Sequence, residues 1–160
     1  MRRTTLGVTT GIATTVAGTG LSAVLAAGPA TAATPASPPA DYAGDARSTT
    51  NARRVDHGRH RVGPQSCLQR KAARHAEQMA RVDRAWHQDL TEVVRACDMR
   101  KVGENVAAGF RSGRTTVNRG WMRSSSHRQN LLDRRFDAMG LAARRSDDGQ
   151  WYVAQVFGDR

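Results

Sequence analysis

Large aromatic side chains are scarce in this sequence: three Trp, three Phe and two Tyr stand in 160 residues. A core built from so few must be thin, in the size range where covalent staples matter. Cysteine is nearly absent too, with Cys67 and Cys97 alone, and no C-x-x-C spacing exists to hold a thiolate-bound metal. Acidic residues are outnumbered 14 to 25 by Lys and Arg. Long apolar runs are missing: the richest stretch, "LGVTTGIATTVAGTGLSAVLAAG", is diluted by Thr and Gly, which argues against a transmembrane anchor. No internal repeat, nucleic-acid motif or nucleophile elbow occurs.

What is present begins with an export signal. Arg2 and Arg3 form a positive n-region, no charge follows until Asp41, and Ala30-Thr31-Ala32 offers the small residues a signal peptidase reads, just after the helix-breaking Pro29. Cleavage after Ala32 is expected, giving a secreted, extracellular protein. Losing residues 1–32 takes the net charge from 25 − 14 = +11 to 23 − 14 = +9. So basic an exported chain is drawn to polyanions such as an anionic envelope polymer or lipid headgroups; the heavy use of Arg, Ala and Gly also fits a high-GC actinobacterial genome. Two cysteines in an oxidising compartment predict a Cys67–Cys97 disulfide.

"ATPASPPA" over 33–40 reads as a linker, and the domain as 41–159. The spacing predicts a weakly periodic helix over 41–58 with Gly58 at C′, and a helix over 67–84 opened by a Ser66-x-x-Gln69 capping box. A short helix from Thr91, an extended segment over 102–110 and a helix over 115–124 follow. "SSSHRQNLLD" predicts a turn and a helical piece capped by Ser126. Two antiparallel strands close the chain, with Leu141 and Ala143 on one face and Tyr152, Ala154 and Val156 on another. The pattern is α+β. His57, His60 and His75, set among Arg residues, are expected in solvent, and Trp121 and Trp151 in the core.

Six strings stand in one order: "NARRVDHG" (51–58), "CLQRKAARHAEQMA" (67–80), "WHQDL" (86–90), "GENVAAGF" (103–110), "WMRSSSHRQNLL" (121–132) and "WYVAQVFG" (151–158). Together they resemble the bacterial branch of the CAP superfamily, the SCP domain of cysteine-rich secretory proteins, antigen 5 and pathogenesis-related protein 1. The resemblance implies a three-layer α-β-α sandwich with a small antiparallel sheet. It also implies a cleft lined by two His and two acidic residues. His87 matches the first His and Glu104 the acid of Gly-Glu-Asn, beside Asn105. The other two positions hold Ser124 and Tyr152, and bacterial members place the His of "SxxHRxN", here His127, near the same cleft.

His87, Glu104 and His127 would supply two imidazoles and a carboxylate, a set a divalent cation such as zinc accepts with water in the open position. The function this points to is a secreted, monomeric binding module whose cleft takes a small ligand or cation. The alternative is a metal-dependent or His/Glu hydrolase acting on peptide or cell-wall material. Against both stands a structural role in which Glu104 and Asn105 satisfy backbone donors. The Ser124–Ser126 run beside His127 reads as helix capping rather than a Ser-His pair.

Overall fold

The computed structural model describes residues 38–160, so the expected signal over 1–32 and linker residues 33–37 lie outside the described residues. Helix α1 (Pro39–Asp56) begins inside the span read as linker: Pro39 sits in the first turn, where its missing N–H costs nothing, and Asp41 follows. Gly58, past the C-cap His57, takes φ +65 as the C′ reading expects. The inner stripe of α1 is Tyr42, Ala46, Thr49, Thr50 and Arg54, more than half of it polar. That is why its apolar periodicity looked poor.

Strand β1 (Gly63–Pro64) leads into α2 (Ser66–Arg81), whose buried Leu68, Ala72, Ala76, Met79 and Ala80 are those the spacing predicted. Its cap differs from expectation. Gln65 is the N-cap, its side chain accepting from the Leu68 amide at 2.6 Å. Gln69 is released from any capping box and binds the backbone of the third strand instead, donating to the Leu141 carbonyl at 3.0 Å and accepting from the Leu141 amide at 3.1 Å. Helix α3 (Leu90–Cys97) starts under the Asp89 side chain, which accepts from the Thr91 and Glu92 amides.

Strand β2 (Lys101–Ala108) is followed by α4 (Gly113–Thr115), which widens into a π turn (Thr116–Gly120) and tightens into a 3-10 turn (Trp121–Arg123). Helix α5 (Ser125–Leu132) follows Ser124, and no side chain caps it, so Ser126 lacks the expected role. Strands β3 (Ala138–Arg145) and β4 (Trp151–Asp159) form the closing hairpin.

The four strands lie in the order β1-β3-β4-β2, antiparallel except for the short parallel β1–β3 pair. Alternation splits the sheet's side chains between two layers. Tyr152, Ala154 and Val156 pack with α2 and α3, while Leu141, Ala143, Val153 and Phe157 pack under α1, α5, Val117 and Trp121. This is the three-layer sandwich. Its sheet touches α2 through backbone at Gly140, where a Cβ would collide with the main chain of Leu68 and Gln69.

Cys67 and Cys97 are bonded, joining the start of α2 to the end of α3 with Cα atoms 5.6 Å apart and a sequence separation of 30. Closing a loop of that length stabilises a fold by roughly 3–4 kcal/mol in the chain-entropy model. Reduction is therefore expected to lower the melting temperature by about 10 °C or more, since each kcal/mol shifts it by about 4–8 °C in a domain of about 60–100 residues and about 2–4 °C in one of about 150–250, and this domain lies between. Calorimetry with and without reductant checks it; an unchanged melting temperature would mean that the bond does not staple the fold.

Candidate functional site

The site grows from two adjacent residues of β2. Because neighbouring side chains on a strand point to opposite faces, Glu104 enters the layer of α2 and α3, and Asn105 the layer of α1 and α5. Both are buried.

The Glu104 carboxylate, with a side chain 0% exposed, is almost fully engaged. Its Oε2 lies 2.8 Å from His87 Nδ1 and accepts from the Gln88 amide at 3.2 Å, while Oε1 accepts from Gln88 Nε2 at 2.6 Å. An ionised carboxylate only accepts, so His87 carries its proton on Nδ1 and turns Nε2 outward. The His87 side chain is 55% exposed. Glu104 thus stands behind His87 rather than beside it, the position of a carboxylate that orients an imidazole.

His75 completes this pocket and corrects the expectation that it is solvated. It is buried, its Nε2 donating to the Trp86 carbonyl at 2.7 Å and lying 4.0 Å from Glu104 Oε1. The Trp86 ring meets it edge-on at 5.2 Å. A signal was available: His75 is seven residues after Leu68 and four before Met79, on the apolar stripe of its helix. His57 and His60 are exposed as expected.

Tyr152 shares the face of Glu104 but pairs with Ala108, four residues from the Glu104–Val156 pair. At about 3.3 Å per residue that is about 13 Å away, too far to join His87. Its hydroxyl donates to Asp83 at 2.7 Å. The segment 82–89 is thereby pinned at three points: Asp83 by Tyr152, Trp86 by His75, and His87 with Gln88 by Glu104.

On the other face Asn105 Nδ2 donates to Gln155 Oε1 at 3.1 Å and to the His127 carbonyl at 3.2 Å, and its Oδ1 accepts from Asn130. Asn130 also reaches the Glu104 carbonyl at 2.9 Å, and Gln155 donates to Thr50 at 2.9 Å. Asn105 therefore lies behind the cleft and holds α5 against β2. His127, half-buried on α5, has its imidazole pKa lowered by burial first and by its Coulombic coupling to His87 second. That shift favours the neutral imidazole. Ser124 and Ser126 bond each other at 3.3 Å.

These positions do not form a three-ligand metal centre. Both Glu104 oxygens are taken, and among the described residues no three His, Cys, Asp or Glu side chains are placed to share an ion. The His87 side chain is 55% exposed and His127 is half-buried, and imidazole nitrogens are donors that transition metals accept.

A second group that sequence reasoning missed is Arg54, fully buried. Its Nε donates to the His60 carbonyl at 2.9 Å, Nη1 to those of Leu131 and Asp133 at 2.8 and 3.1 Å, and Nη2 to that of Phe136 at 3.0 Å. Arg54 stands four residues after Thr50, on the inner stripe of α1, which was the available signal.

Comparison with known proteins agrees with this architecture. The CAP model, described as the cysteine-rich secretory protein family, matches residues 47–157. No curated protein sequence matches the chain. Among solved structures, an outer surface protein from Borrelia burgdorferi superposes with TM-score 0.65 at 18% identity, covering 71% of this chain and 89% of that one. An extracellular SCP-domain protein from Bacillus anthracis gives 0.65 at 21%, covering 80% and 45%. A cysteine-rich secretory protein from Staphylococcus aureus gives 0.66 at 22%, covering 79% and 40%, so the chain spans less than half of these last two. At such identities the likeness is one of fold. With the family match running from Arg47 to Phe157 and the sandwich in place, the chain belongs to the CAP family of cysteine-rich secretory proteins.

Proposed function

We propose that the chain is exported by its N-terminal signal and acts as a binding module of the extracellular space or cell envelope, in the bacterial branch of the family. The cleft between His87 and His127 takes a small ligand or a weakly held divalent cation such as zinc. One observation carries the reading: the Glu104 carboxylate is consumed in orienting His87 and holding Gln88. A hydrolase would need that carboxylate free as a base or as a third metal ligand. Two imidazoles and solvent suit reversible binding better. That structural relatives include an extracellular and an outer surface protein supports export, and the charge of 23 − 14 = +9 after loss of residues 1–32 supports adhesion to an anionic envelope.

Fractionation of producing cells tests this. Protein beginning at Ala33 is expected on the cell surface at low salt and in the supernatant as salt rises, since the Debye length shrinks from about 10 Å at 0.1 M to about 3 Å at 1 M. Protein confined to the cytoplasm would overturn export. Protein free in the supernatant at low salt would overturn adhesion.

A further inference from the structure

A groove of about 490 Å³ opens where the C-terminal half of α5 meets the start of β2 and the α1–β1 connection. Its cations are Arg59, Lys101, Arg128 and Arg135, against the single carboxylate of Asp133. Asp133 is already matched, accepting from Arg135 through both oxygens at 3.0 and 2.7 Å and from Lys101 at 2.9 Å. Those hydrogen bonds, from Arg135 above all, hold its carboxyl well below the usual carboxylate range, so it counts as one fixed negative charge. Four cations against one anion leave a local surplus of +3.

The backbone here could have opposed an anion, because carbonyl oxygens face outward at the end of a helix. In this protein they are occupied. Arg59 donates to the Leu132 carbonyl at 2.9 Å, and Arg54 from beneath takes those of Leu131, Asp133 and Phe136. What faces the groove is therefore cationic donors with few competing acceptors. Arg128 is exposed and its guanidinium bonds no side chain or carbonyl among the described residues.

We propose that this groove binds a phosphate-type oxyanion, either free phosphate or the phosphodiester of a polyol polymer. Guanidinium forks match tetrahedral oxyanions, which favours phosphate chemistry. None of the lining residues is aromatic, so no base could stack as single-stranded nucleic acid requires, and Leu132 alone offers apolar surface to an acyl chain. The site gives the envelope reading a definite contact, yet it stands on its own geometry.

The test is NMR of the Arg Nε–Hε groups of the folded chain, titrated with sodium phosphate and, separately, with a glycerol-phosphate oligomer, against sodium chloride of matched ionic strength. Saturable shifts confined to Arg59, Arg128 and Arg135 are expected, with chloride giving none. Arg128→Glu should weaken phosphate binding about tenfold, whereas Arg74→Glu, an exposed control on α2, should change it less than about twofold. An oligomer that binds more tightly than phosphate identifies the polymer as the source; one that binds no better identifies the free ion. Shifts that stay linear, spread over all arginines or persist in Arg128→Glu would overturn the site. Saturation with no retention on cells would leave the groove standing and remove the envelope reading; the reverse result would do the opposite.

Discussion

Arg54→Met is expected to cost about 3 kcal/mol or more, because it strips hydrogen bonds from the carbonyls of His60, Leu131 and Asp133 at once, while Phe136 keeps His60 Nε2 as a donor, and an orphaned buried acceptor costs about 1–3 kcal/mol. Methionine fills much of the aliphatic volume, so loss of packing contributes little. Burial holds the guanidinium pKa below its usual value, yet it stays charged near neutral pH. Arg54→Lys is the instructive companion. A lysine ammonium has three donors and no planar fork, so it can serve part of the set and should recover less than half of the loss. Urea denaturation measures both. Wild-type stability in Arg54→Met would mean that the connections around α5 are fixed by something other than this guanidinium.

Glu104→Ala should cost about 3 kcal/mol, since Gln88 loses the acceptor for its backbone and side-chain donors and the cavity that opens is buried. The damage should spread along the segment 82–89, leaving Tyr152–Asp83 and His75–Trp86 as its anchors. Glu104→Gln keeps one acceptor and should cost about 1–2 kcal/mol. Its second effect is the more telling one. Gln can accept from either Gln88 or His87 but lacks the charge that fixes the Nδ1–H tautomer, so the outward Nε2 loses its definition. Stability by denaturation and backbone hydrogen exchange over 82–89 check the pair. An alanine variant as stable as wild type, with unchanged exchange, would contradict the role given to Glu104.

Much of the fold was legible because its elements obey simple periods. The apolar set of α2 and the alternation of β3 and β4 are readable from spacing alone, and the even cysteine count in a chain read as exported pointed to the bond. The legible part of the site was the Gly-Glu-Asn string with His87. What escaped notice has a common physical cause: polar residues doing interior work. His75 and Arg54 sit on the inward stripes of their helices, where polarity alone argues for solvent. Position within the period outranks polarity when a carbonyl waits inside. Gln69 formed no capping box because Gln65 reaches the same end of α2, leaving Gln69 to satisfy the backbone at Leu141. The widening and tightening of the chain over 113–123 has no signature in residue spacing; it depends on how Val117 and Trp121 both reach the core.

If Glu104 orients His87, the exposed group of the pair is the imidazole and not the carboxylate. Long-range 1H–15N NMR of the imidazole rings near neutral pH reads this directly. His87 is expected as the Nδ1–H tautomer with a bare Nε2, and added zinc should shift that Nε2 together with the ring of His127, reversibly and weakly. A His87 ring protonated on Nε2, with neither imidazole responding to zinc, would contradict it.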